Sequence, residues 1–487
     1  MNYASAGAEL PAWSNRDRGL LAVLAANMLI DAIEVSSAIM TIPSVGRGLD
    51  LPLRSSQWLL TGFAAGFGGL LLLGGRLVQR LGRRRVYLAG LLLFAAASLA
   101  SALADGTGVL LAMRFLKGFS VALTAPTGIA IISSAYPAGP MRDRAVSVYT
   151  FAGGGGFATG LLMSGVLLQL CGWRWTLAAP AIVVLALWRP AMRFLPDEPP
   201  AQRPVRSGDA VGRSILCGLL LAAALLALVR GLVSGQYRLP VLVLAALLLL
   251  AFLLAQHALP APLMEFHLLR KARLVRSIAG AAALNGSYLG LLLVLSVQLQ
   301  STLGWTPLAA GLALLPASAP LVFSSLLSTT LAQRFGTAAL IVLGNVLAAA
   351  ACLWYLRVGL ATRYCPDTLV TVLLLGLAFA AAFGALNIQG MSAVRPAQRP
   401  MAAGLYQSAV QAAAAAVPAL VVSLLGAGAA DPSRFRPALT LLAAISLFGL
   451  AVALLELVDA RRRASTELPP AGPGQSSNQD NHLRRTR

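Results

Sequence analysis

Residues 19–43 read GLLAVLAANMLIDAIEVSSAIMTIP. The stretch is long enough to cross a bilayer as a helix, yet Asp31 and Glu34 stand in its middle. Carboxylates inside a membrane span are expensive, so they mark function by default. Of the 17 acidic residues in the chain, these two are the pair set deep in an apolar segment.

The rest of the 487-residue chain supports the membrane reading. Hydrophobic residues make up 58%, charged residues 11%, and the mean hydropathy is +0.77. A soluble domain carries about 25% charged residues, so this chain lacks the polar surface to face water on all sides. Repeated apolar runs of about 20 residues read as spanning helices, and the absence of strand-like alternation argues against a β-barrel. The net charge of +21 does not signal nucleic-acid binding, because the 38 Lys and Arg residues recur in the gaps between apolar runs. Cys171, Cys217, Cys352 and Cys365 are far apart and form no metal spacing. No cleaved signal is evident, so the first span is expected to be retained.

Fourteen spans are expected, near 19–43, 56–75, 86–104, 108–132, 145–170, 174–195, 213–234, 238–257, 275–299, 308–331, 337–358, 367–391, 401–426 and 437–458. An even number places both termini on one side. If that side is cytoplasmic, inner segments hold 27 Lys and Arg residues and outer loops eight, with Arg114, Lys117 and Arg230 inside spans. The positive-inside rule therefore puts both termini in the cytoplasm. The Pro-rich, charged stretch 195–212 reads as a linker, and MEFHLLRKARL at 264–274 as a short amphipathic helix on the inner membrane face. The organisation that follows is a cytoplasmic segment 1–18, a six-helix bundle 19–195, a linker with two inserted helices 196–260, a second six-helix bundle 261–458, and a disordered tail 459–487. A faint repeat supports two related halves: Gln-Arg-x-Gly occurs at Gln79–Gly82 and again at Gln333–Gly336.

The fourth span contains LLAMRFLKGFSVALTAP, with Arg114 and Lys117 three residues apart on one face. Glu34 lies roughly 13 Å below the outer end of its span, and the two cations lie roughly 9 and 13 Å down theirs, at 1.5 Å per residue. Four charges at matching depth need each other or water. They form either a static cluster pinning the first span to the fourth, or a proton-titrating carboxylate whose counter-ions compete with substrate. The fifth span, FAGGGGFATGLLMSG, lacks the Lys-Ser/Thr ending of a phosphate loop. Its Gly156, Gly160 and Ser164 form a small-residue ridge, as do Gly62 and Gly66 in the second span. Asn285, Gln300, Asn387, Gln407 and Gln411 in the second half are candidates for a polar cavity lining or for interhelical hydrogen bonds. The absence of HExxH, GxSxG and Walker lysine motifs argues against a hydrolase or an ATP-driven pump.

In combination these motifs resemble the major facilitator superfamily, in particular its fourteen-helix drug:H+ antiporters. Glu34 through Pro43 resembles that family's helix-1 motif, GGRLVQRLGRRR its loop after helix 2, Arg114 through Gly118 its Arg-x-x-Gln-Gly, and Gly156–Gly165 its helix-5 antiporter motif. WRW at 173–175 and QSTLGWTPLAAGLALLP at 300–316 resemble further family segments. Departures are Glu34 for Asp, Ile39 for Asn, Gln79 for Asp, Lys117 for Gln, Leu161 for Pro and Ser164 for Gly. The resemblance implies an all-α membrane fold of two six-helix bundles plus two inserted helices. It implies proton-coupled export of small organic compounds across the cytoplasmic membrane, with no cofactor and no enzymatic activity. Glu34 and Asp31 would couple protons, and Arg114 and Lys117 would be their charge partners. Gln79, Arg80, Gly82 and Arg83 would form the cytoplasmic gate, with Gly156, Gly160, Ser164 and Gly165 in the helix-5 motif. The expected partners are substrate, protons and lipid, with neither nucleic acid nor an obligate protein. Proton symport or facilitated uptake is the alternative in the same class; a non-transporting receptor would not need titratable groups at mid-depth.

Overall fold

The computed structural model describes residues 13–137, 139–197, 209–234, 237–257, 262–358, 364–425 and 435–466. Most of the expected linker, the end of the expected tail and the side chain of Cys365 lie outside the described residues. Among the described residues there is no strand. The α-helices are α1 (Asn15–Gly48), α2 (Leu53–Ser56), α3 (Trp58–Leu81), α4 (Arg83–Ala102), α5 (Thr107–Ala135), α6 (Pro140–Leu170), α7 (Gly172–Phe194), α8 (Asp209–Val233), α9 (Arg238–His257), α10 (Ala272–Val297), α11 (Pro307–Leu314), α12 (Ala319–Phe335), α13 (Thr337–Val358), α14 (Val370–Ser392), α15 (Arg399–Leu425) and α16 (Phe435–Thr466). Among the described residues thirteen helical segments, against the fourteen expected, are long and apolar enough to cross a membrane.

Local chemistry sets several boundaries. α1 starts four residues before the expected span because Ser14 and Asp17 form a capping box, with reciprocal bonds of 3.1 Å. The stretch expected as the tenth span is broken: α11 ends at Leu314, a 3-10 turn covers Leu315–Ala317, and α12 resumes at Ala319. Pro316 and Pro320 have no N–H to continue the ladder, and that accounts for the break. The amphipathic stretch before α10 forms a 3-10 helix at Phe266–Arg270 rather than an α-helix.

Helices α1 and α3–α7 pack on one another as one bundle, and α10–α16 as a second. The bundles meet where α3 lies along α15, where α6 lies along α11 and α12, and where α1 touches α10. α8 and α9 pair with each other, and α8 rests on α3 and α15. The sequence repeat has a structural counterpart. Gly82 (φ 85°, ψ 153°) ends α3, and Gly336 (φ 80°, ψ 148°) ends α12. Both turns need a positive φ that only glycine adopts freely, which is why each Gln-Arg-x-Gly ends as it does.

At the end of the molecule opposite the Arg-rich α3–α4 turn, the two bundles are joined by hydrogen bonds. Pro43 within α1 supplies no N–H to the Ile39 carbonyl four residues earlier. The Ser296 hydroxyl of α10 donates to that carbonyl at 3.1 Å. Gln300, in a π-turn that closes α10, donates to Ser296 Oγ at 2.9 Å and to the Met40 carbonyl at 3.3 Å. Arg54 and Thr61 donate to the Ser423 and Ala415 carbonyls of α15. Each such bond contributes about 0.5–1.5 kcal/mol net. Ser296→Ala is therefore expected to raise the population opened at this face by up to about tenfold. The readout is faster thiol labelling of a cysteine placed at Thr41, which is fully buried here, in a background without the native cysteines.

Candidate functional site: a buried charge cluster between α1 and α5

The site forms where α1 and α5 face each other beside α3. Close approach is possible because glycines line the contacts. A Cβ on Gly66 would meet the backbone of Phe115, and one on Gly118 the backbone of Phe63 and Phe67. On the other side of α1, Gly156 and Gly160 of α6 lie against Leu29, Ile33 and Ser36. The helix-5 motif is shared between two contacts. Gly165 instead packs on Pro307 and Leu308 of the second bundle, and Ser164 returns its hydroxyl to the Gly160 carbonyl at 2.6 Å.

Glu34 sits between both cations. Its Oε1 pairs with Arg114 Nη1, and its Oε2 lies 2.8 Å from Lys117 Nζ. Glu34 is 2% exposed, and Arg114 and Lys117 are 0% exposed. Arg114 Nε also donates to the Leu59 carbonyl at 2.7 Å, while its guanidinium lies 5.3 Å from the Phe63 ring centre. Lys117 Nζ lies 5.0 Å from the ring centre of Phe94 on α4. These aromatic faces add attraction for cations removed from water. Arg114 Nη2 is buried with no hydrogen-bond partner. One carboxylate thus serves two cations, and the trio carries one net positive charge.

Asp31 does not join that trio. Its Oδ2 accepts from Asn27 Nδ2 at 3.0 Å and from Thr124 Oγ1 at 3.2 Å. It is 5% exposed, and among the described residues no ion pair reaches it. The four charges expected in one layer therefore separate into an ion-paired group and a neighbouring carboxyl held by neutral donors.

The other expected residues are dispersed. Gln79 is exposed at the end of α3, with Arg80 and Arg83 half-buried around Gly82. Asn285 bridges α10 and α15 by donating to the Val410 carbonyl at 3.2 Å. Gln300 belongs to the α1–α10 contact described above. Asn387 is exposed on α14, Gln407 is half-buried and Gln411 buried on α15. Gln411 Cβ lies against Gly68 of the first bundle.

The structure adds residues that the sequence reading missed. Asn27 is one helical turn before Asp31, a spacing that itself predicts contact. Glu456 is buried in the second half of α16, 2.8 Å from Arg276 and 3.4 Å from Arg273. A row of aromatic rings crosses from the first bundle into the second: Phe157, Tyr288, Phe379, Phe383 and Tyr406, with successive ring centres 5.6, 4.7, 4.5 and 6.4 Å apart.

Two helical bundles meeting face to face, with a buried ion-paired cluster in one and an aromatic row joining them, define a multi-pass membrane transporter. The chain belongs to the Major Facilitator Superfamily, whose family profile matches residues 24–418. It is 33% identical over 433 residues to the puromycin resistance protein pur8 of Streptomyces alboniger, covering 84% of this chain and 80% of that relative. It is 32% identical over 464 residues to the lincomycin resistance protein of Streptomyces lincolnensis, covering 91% and 92%. It is 27% identical over 413 residues to the tetracenomycin C resistance and export protein of Streptomyces glaucescens, covering 83% and 75%. Among solved structures, a peptide transporter POT in complex with sulfate superimposes with a TM-score of 0.68 at 15% identity, covering 93% of this chain and 96% of that one. At that identity the likeness speaks for the fold alone.

Proposed function

We propose that this protein exports small organic compounds across the cytoplasmic membrane in exchange for protons, by rocking its two bundles about a site open to one side at a time. The observation that carries the reading is the Asp31–Glu34 layer, buried beside Arg114 and Lys117 within the first bundle. Titratable groups at such depth are costly, and coupling to a proton gradient gives them a use. The resistance relatives support the outward direction and a small-molecule substrate, and the row of aromatic rings suits planar or amphiphilic molecules. Both termini and the Arg-rich α3–α4 turn lie in the cytoplasm in this reading, with Arg80 and Arg83 serving the gate on that side. No cofactor or partner protein is needed. An inward proton gradient supplies the work, its electrical part worth about 2.3 kcal/mol per charge per 100 mV.

Everted membrane vesicles test the direction. With an acid lumen, vesicles containing the protein are expected to accumulate puromycin above vesicles without it, and collapsing the gradient should release it. Accumulation only under the reversed gradient would sink the export reading in favour of symport.

A further inference from the structure

We propose that the Asp31 carboxyl, held by Asn27 and Thr124, is the group that binds and releases the driving proton, while Glu34 stays ionised between Arg114 and Lys117. The proposal deepens the proton-coupled reading above and rests on it.

The two acids differ in what surrounds them. Each oxygen of Glu34 has a cation, so adding a proton there would leave two buried cations without an anion. Breaking a buried ion pair in this way is strongly unfavourable, because it leaves uncompensated buried charge. Asp31 has no such obstacle. Among the described residues, the groups that reach it from a packed helix are neutral or acidic: Asn27 and Glu34 on α1, Thr124 on α5, Tyr87 on α4 and Tyr149 on α6. From α7 the same core receives Ala181, Val184 and Ala191, none of them titratable. α10 meets α1 through Ser296 and Gln300, toward the other end.

Thr124 makes both protonation states satisfiable. Its single hydroxyl hydrogen has Asp31 Oδ2 at 3.2 Å, the Ser120 carbonyl at 3.2 Å and the Val121 carbonyl at 3.5 Å. With Asp31 ionised, the hydrogen points to the carboxylate. With Asp31 protonated, it turns to its own helix, and the freed hydroxyl oxygen accepts the carboxyl hydrogen. Tyr149 differs in that its hydroxyl hydrogen is placed on the Ala125 carbonyl at 2.9 Å rather than on Asp31. The exchange is simple in balance: the Asp31 O–H bond breaks, the proton passes to water on whichever side is open, and nothing is oxidised or reduced. Charge follows the proton. With Asp31 ionised, Asp31, Glu34, Arg114 and Lys117 sum to zero; with Asp31 protonated they sum to plus one. The proton therefore changes the net charge of the layer without breaking the Glu34 ion pairs.

Infrared difference spectra of the purified protein in lipid, recorded across pH, report the protonated carboxyl directly and need no substrate. The wild type is expected to show a carboxylic-acid carbonyl band that disappears as pH rises. That band should be absent in Asp31→Asn and retained in Glu34→Gln. Thr124→Val, which keeps shape but removes the hydroxyl, should displace the pH at which the band is lost. It keeps the assignment testable if Glu34→Gln fails to fold. Persistence of the band in Asp31→Asn, or an unmoved midpoint in Thr124→Val, overturns the proposal. Gradient-driven transport by a protein whose band is unaffected by Asp31→Asn overturns the site and leaves the export reading standing. Loss of the band in Asp31→Asn, with no gradient-driven transport by the wild type in vesicles, has the opposite meaning: the site stands and the export reading falls.

Discussion

Glu34→Leu is expected to lower the stability of the folded protein by about 3–5 kcal/mol and to abolish transport. The leucine fits the space, so the loss is electrostatic. Arg114 and Lys117 are both fully buried, and the carboxylate between them is the acid that pairs with each. Removing it leaves two like charges beside each other, partly consoled by the Leu59 carbonyl and the Phe63 and Phe94 rings. The triple replacement Glu34→Leu, Arg114→Met, Lys117→Met should recover most of the lost stability, because an apolar set of similar volume replaces the whole ion-paired group. It should remain inactive. Thermal unfolding in detergent, compared across the single and triple variants, checks this. Equal losses in both would mean that packing and not charge dominates at the site. Asp31→Asn provides the contrast: it removes no member of an ion pair, and its stability should stay near that of the wild type.

The pattern of what was legible in the sequence follows from the range of each signal. The spans were readable because apolar length is a local property. The turn at Gln79–Gly82 and its echo at Gln333–Gly336 were readable for the same reason, since a positive φ leaves its mark on one residue. Glu34 pairs with both Arg114 and Lys117, as matching depths along two helices predict. Depth alone could not resolve rotation. Asp31 and Glu34 share a helix, yet three residues turn one toward the two cations and the other toward Thr124. The family's helix-1 motif directs attention to Glu34, and only the identity of the neighbours separates a carboxylate anchored by cations from one held by neutral donors. The Ser296–Ile39 bond was equally hidden. Pro43 announces an orphaned carbonyl in the sequence, but nothing local says that a serine some 250 residues later supplies the missing donor.

Gly118→Val should be as damaging as any charge substitution, although it alters no polar group. Glycines on α3 and α5 face the partner backbone reciprocally: a Cβ at Gly118 meets Phe63 and Phe67, and one at Gly66 meets Phe115. Backbone atoms cannot rotate aside as a side chain can, so the helices must separate. Overpacking of this kind costs about 1–3 kcal/mol or more, and β-branching adds crowding along the helix. Function should suffer beyond the stability loss. Gly118 is one residue after Lys117, and the reach of Arg114 to the Leu59 carbonyl of α3, 2.7 Å, depends on the same helix spacing. Moving α5 away from α3 therefore strains the cluster that holds Glu34. Gly118→Ala should show a smaller version of both effects. Gly75→Ala and Gly155→Ala are the controls, because a Cβ at either position meets nothing within 4 Å. Each lies inside a helix, where alanine is favoured over glycine by about 0.5–1 kcal/mol, so unfolding temperatures equal to or above the wild type are expected. Thermal unfolding in detergent, paired with transport in vesicles, separates the two outcomes: a Gly118→Val protein that melts and transports like its Gly75→Ala counterpart would show that the α3–α5 contact does not position the charged cluster.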